Sequence, residues 1–218
     1  MGGIYGRGFG AALWYSLGVE TQNLKPTVVA FGDEVLDRMA RAVEKVQERL
    51  RRSTAALEAA HVPYAAFGDN AVAAWVATID PGAVRHAVDI EMLVNRGDYA
   101  SAKKTLESVG FLQHDEMTFV DGADGSPREA VRLLFAGEKA KEGHVAAAPC
   151  VSADSTHTAF KLLPLEPLVL LELTLWRCVC RLHVRDLIEI GLVDQSWPQR
   201  FTPALAGRLQ TLLDDPDG

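Results

Sequence analysis

Apolar residues recur along this chain at two periods, and the switches between them divide it into elements. Val35, Leu36, Met39, Ala42, Val43, Val46 and Leu50, with charges between them, follow the period of an amphipathic helix running from Asp33 to the neighbourhood of Ala60. His61-Val62-Pro63 breaks that helix, and the apolar run Tyr64 to Phe67, closed by Gly68, reads as a buried strand. Asp69 or Asn70 is suited to cap a second helix that continues through Trp75 to Thr78. Asp80-Pro81-Gly82 is a turn, and the run from Ala87 to Val94 predicts the next strand. Asp98 caps a third helix, which carries Ala102, Leu106 and Val109 and stops at Gly110. Phe111 to Val120, a turn rich in Asp and Gly at 121–125, and Ala130 to Phe135 suggest a hairpin.

Residues 33–136 therefore predict an α+β core, a small mixed β-sheet with packed helices. A Gly-rich arm at 1–32 precedes it, and a polar, Ala-rich connection at 137–160 follows, too long for an ordinary loop. Residues 161–218 form a C-terminal helical part. In it Glu166-Pro167 opens a helix with Leu168, Leu171 and Leu175, Val184 to Leu192 continues or restarts it, and Thr202-Pro203 begins a last helix with Leu205, Leu209 and Leu212. The acidic end of the chain, from Asp214, is expected to fray.

Composition narrows the function classes. With 48% hydrophobic content over 218 residues the chain has material for a substantial core. A net charge of -7 argues against broad nucleic-acid binding or attachment to an anionic membrane, both of which need a basic footprint. The longest apolar run, Leu168 to Leu175, contains Glu172 and falls far short of the ~20 residues of a membrane span, so no membrane partner is expected. Cys150, Cys178 and Cys180 do not form a disulfide framework, and a reducing, cytoplasmic location follows as the simpler expectation. Phe9 to Val19, behind Arg7, has no small-x-small cleavage site and reads as part of the arm instead of a secretory leader. Gly6-Arg7-Gly8-Phe9-Gly10 lacks the preceding strand that a phosphate loop needs.

Asp89-Ile90-Glu91 carries the candidate chemistry. On a strand the i, i+2 spacing puts both carboxylates on one face while Val88, Ile90, Met92 and Val94 point to the other, an arrangement suited to Mg²⁺ beside a phosphate. Gly68-Asp69 before a helix, then Asp89-Ile90-Glu91, then Val131-Arg132-Leu133-Leu134, resembles the DNA polymerase beta-like nucleotidyltransferase superfamily. The closest flavour is the minimal and abortive-infection toxin-type nucleotidyltransferases. Leu165-Glu166-Pro167-Leu168 to Leu173 and Arg185-Asp186-Leu187-Ile188-Glu189 are similar to that family's helical part, and the likeness spans about residues 45–193.

The resemblance implies in-line attack of a protein or RNA hydroxyl on the α-phosphate of a nucleoside triphosphate, with Asp89 and Glu91 as catalytic and metal-holding residues. It also implies that Gly68, Asp69 and Asn70, at a helix start, approach the triphosphate, together with Arg132. Three departures cut against that chemistry. Arg132 stands where a third carboxylate belongs, Asp69 replaces a small neutral turn residue, and Glu172 occupies a place where the family often has a phosphate-facing Lys. Glu129 faces away by strand parity and substitutes only through a bulge. Pairing of Arg132 with Asp89 or Glu91, filling the metal site with a salt bridge, reconciles the set.

The expectation is a nucleotidyltransferase-fold protein with a degenerate site, nucleotide-binding or vestigial. The alternatives are an active Mg²⁺-dependent enzyme and a non-enzymatic protein partner of toxin-antitoxin type. Other features read as structural. Cys178 and Cys180, with His183 beyond them, read as core thiols and not as a soft-metal site, since i and i+2 on a helix cannot chelate one ion. His114, His144 and His157, and likewise Cys150, Ser152 and Ser155, lack triad context. Arg49, Arg51 and Arg52 read as a helix surface, and Arg185 with Glu189 as a helical i, i+4 pair.

Overall fold

A computed structural model of the chain describes residues 32–151 and 159–215. Residues 1–31 of the 1–32 arm, Ser152, Ser155, His157 and residues 216–218, on which several of these expectations fall, lie outside the described residues. Helix α1 (Asp33–Ala59) leads into β1 (Tyr64–Phe67), α2 (Gly68–Ala77), β2 (Ile90–Val94), α3 (Tyr99–Ser108), β3 (Phe111–Gln113), β4 (Thr118–Asp121) and β5 (Val131–Phe135). Helices α4 (Leu165–Leu175), α5 (Cys178–Glu189) and α6 (Pro203–Asp214) follow among the described residues. The five strands form one mixed sheet in the order β1-β2-β5-β4-β3, with β2 and β5 parallel and the other neighbours antiparallel. The α+β expectation holds.

Alternation along β2 sends its side chains to two cores. Ile90, Met92 and Val94 pack with Leu57 of α1, Leu106 of α3, Phe111 and Phe119 on one face. Leu93 joins Phe67, α2 and the C-terminal helices through Leu168, Leu171, Val184, Leu187 and Leu209 on the other. Full burial of each such Leu or Phe contributes about 1.5–3 kcal/mol, so both faces of the sheet are held by apolar packing. The segment around Leu163 adds to β1, with Ala66 N–H donating to Lys161 O and Leu163 N–H to Ala66 O, which ties the C-terminal part to the sheet edge.

Several boundaries differ from expectation for identifiable reasons. The carboxylate strand begins at Ile90 and not at Ala87, because its ladder starts where β5 does, at the pair Ile90 with Val131. Phe111 to Val120 is two strands and not one: the polar run His114-Asp115-Glu116 turns the chain, and Asp115 accepts from the Met117 N–H. The second helix starts at Gly68 behind Phe67 with no side-chain cap, so neither Asp69 nor Asn70 has the capping role. Trp176, in the left-handed region at φ 52°, ends α4, and the chain restarts as α5 at Cys178 instead of Val184.

Two assignments of surface charge are also corrected. Arg49 is buried and reaches from α1 to Glu129, with Nη2 at 3.1 Å from Oε2, while Arg52 reaches Asp121 and lies over the Phe111 ring. These arginines fasten α1 to the sheet margin, and of the three only Arg51 is an exposed helix-surface residue, paired with Glu48. Arg185 donates to Asp215 O and not to Glu189, while Asp186 takes Arg85 at 2.9 Å. Among the described residues no helix is long and apolar enough to cross a membrane.

Candidate functional site

The tight passage from β1 into α2 positions the site. Gly68 has a φ of +65°, in a region L side chains seldom adopt, and a Cβ built there would lie 2.1 Å from Glu91 Oε2. The glycine thus clears the space that the Glu91 carboxylate fills. One residue on, Asp69 leaves the turn toward α5, and Asn70 donates from Nδ2 to Asp89 O at 2.8 Å, fixing the entry to β2.

The fold brings Gly68, Asp69, Asn70, Asp89, Glu91 and Arg132 to one neighbourhood, but it pairs the charges internally. Arg132 Nε donates to Asp89 Oδ2 at 2.8 Å, and its Nη2 to Pro127 O at 2.6 Å. Arg132 stands directly across the ladder from Glu91, yet Glu91 takes a different cation. Arg177, between α4 and α5, donates from Nη2 to Glu91 Oε1 at 2.8 Å and from Nε to Cys180 Sγ. Burial pushes the Glu91 carboxyl up to about 7, against the pull of Arg177. Asp89, just outside the ladder, keeps partial solvent contact, so the two carboxylates of the motif differ in environment.

A second network lies behind the first. His183 is buried on α5, with Nδ1 at 3.1 Å from Glu172 Oε2 and Nε2 at 2.5 Å from Asp69 Oδ1. Burial alone would lower its pKa, but the two carboxylates outweigh it and raise it to about 10, so the ring is an imidazolium donating from both nitrogens. Asp69 is held below its ordinary value in spite of burial, by His183 and the Val88 backbone. Glu172 is fully buried and faces His183, not a ligand. The expected repulsion of a phosphate by Glu172 is therefore replaced by a structural role.

Neither Arg177 nor the His183 network is evident from the motif itself. Glu172 is the signal that points to them: a carboxylate inside the apolar run 168–175 requires a buried cation, and His183 is available one helix later. The reading of Cys180 as a core thiol holds, and burial raises its pKa to about 12; Cys178 is exposed and does not belong to the core.

No protein-family model matches the chain, and no curated protein matches it. Among solved structures, the crystal structure of a putative nucleotidyltransferase from H. pylori is similar at 13% identity and a TM-score of 0.46, over 81% of this chain and 78% of that one.

Proposed function

We propose that this chain is a nucleotidyltransferase-fold protein whose divalent-metal site has been replaced by internal ion pairs, leaving a nucleotide-binding or vestigial site without transfer activity. The observation that supports it is the separate arginine on each carboxylate, Arg132 on Asp89 and Arg177 on Glu91, both at 2.8 Å. Mg²⁺ favours near-octahedral oxygen ligands at about 2.0–2.1 Å and tolerates no guanidinium in its place. Here Arg132 occupies the third position, and the carboxylate oxygens that would face the ion accept from cations instead. The donor set does not fit Mg²⁺.

Isothermal titration with Mn²⁺ and Mg²⁺ is expected to give no binding in the micromolar range, and incubation with α-labelled nucleoside triphosphates no transfer to protein or RNA. Micromolar metal binding that disappears in Asp89→Ala, or label transfer lost in Glu91→Ala, would overturn the reading in favour of an active metal-dependent enzyme.

A further inference from the structure

A cavity of about 320 Å³ opens between the sheet, the connection after β5 and the junction of α4 with α5. Its lining includes Arg132, Lys141, His144 and Arg177, against the single carboxylate Glu91, with apolar wall from Phe67 and Leu175. The size is at the lower end for small-molecule sites, and the mixture of apolar wall with a few convergent polar groups is typical of them.

The cations retain unused donors. Arg177 commits Nε to Cys180 and Nη2 to Glu91, and Arg132 commits Nε to Asp89 and Nη2 to Pro127 O, so among the described residues Nη1 of each is without a partner. Lys141 is exposed, and His144 Nδ1 is buried and unmatched. The connection is held by its own backbone: His144 N–H donates to Lys141 O, Gly137 N–H to Ala148 O, and Ala148 N–H to Glu138 O. The His144 ring is held below its ordinary pKa first by burial and then by Lys141, Arg208, Arg177 and Lys139.

From this geometry we infer that the cavity is a metal-independent site for a phosphate monoester carrying a flat or apolar group, with Arg132, Arg177 and Lys141 on the phosphate and His144 in the wall beside them. The inference rests on the reading that arginines and not metal hold Asp89 and Glu91. The remaining Nη1 of each guanidinium can donate to a phosphate oxygen, and Lys141 adds a point charge. Glu91 sets a limit on the charge accepted, which favours a single phosphate over a triphosphate. A larger cavity, about 600 Å³, lies between α1 and residues 86–88, but its one cation, Arg49, is already engaged by Glu129, and it offers an anion nothing.

Calorimetric titration of the full chain in EDTA, with inorganic phosphate, phenyl phosphate and adenosine 5′-monophosphate as probes, tests this. The two esters are expected to bind at least tenfold more tightly than inorganic phosphate, and Lys141→Glu, an exposed change compatible with folding, to weaken them at least tenfold. No binding of any probe at millimolar concentration, or binding indifferent to Lys141→Glu, overturns the site while leaving the metal-free reading intact. Binding that appears only when Mg²⁺ is added overturns both.

Discussion

Replacing His183 by leucine is expected to destabilise the protein by about 3–5 kcal/mol, the cost of stranding a buried charge by removing its partner. His183 is 4% exposed and Glu172 not exposed at all, so solvent cannot take over the role of the imidazolium. Glu172 already has Oε1 unmatched, and without His183 its other oxygen loses its partner as well. The double variant Glu172→Leu/His183→Leu removes the buried pair and leaves only the more exposed Asp69 without its partner, so it is expected to recover more than half of the loss, because apolar replacement of a buried pair is often neutral or favourable. Urea denaturation of the parent, single and double variants measures this. Equal losses in single and double would mean that the His183 ring matters for its shape and not for its charge.

The same pair predicts a pH dependence. The folded-state pKa of His183, about 10, lies above its unfolded value of 6.5, so its contribution is fully present below pH 6.5 and is lost as pH rises through 10. Against the double variant, which lacks the His183 ring, the stability of the parent should decline steadily from pH 6.5 to 10. A constant difference over that range would contradict a doubly bonded imidazolium.

Local pattern carries most of the fold into the sequence, and partners at long range do not. The period of α1 and the short run of β1 are properties of adjacent residues, and each appears where the pattern places it, whereas of the two carboxylates only Glu91 lies on β2. The start of β2 is decided by β5, some 40 residues later, so sequence alone runs it three residues too long. Trp176 takes a left-handed conformation that glycine or asparagine would have announced, and the break between α4 and α5 is hidden as a result. At the site, the neighbourhood of Gly68, Asp89, Glu91 and Arg132 follows from the order of elements, and the Arg132 to Asp89 pair from charge logic. Arg177 is different: it lies 86 positions from Glu91, and only the docking of α5 brings it there.

Gly68→Ala is expected to cost about 2–4 kcal/mol through two separable effects. A positive φ penalises any L side chain, by roughly 1–2 kcal/mol. The remainder comes from Glu91, whose Oε2 would lie 2.1 Å and Cδ 3.1 Å from the new Cβ. A carboxylate end can usually swing aside, but this one is 7% exposed and bound to Arg177, so moving it also breaks a half-buried ion pair. Glu91→Ala should therefore make Gly68→Ala less damaging, leaving only the backbone penalty, and a double-mutant cycle should give a coupling of about 1–2 kcal/mol. Additive losses would mean that Glu91 relaxes freely and that the turn glycine answers to backbone geometry alone. Coupling would tie the glycine to the carboxylate that fills its turn, giving Gly68 a purpose in this chain that requires no bound phosphate.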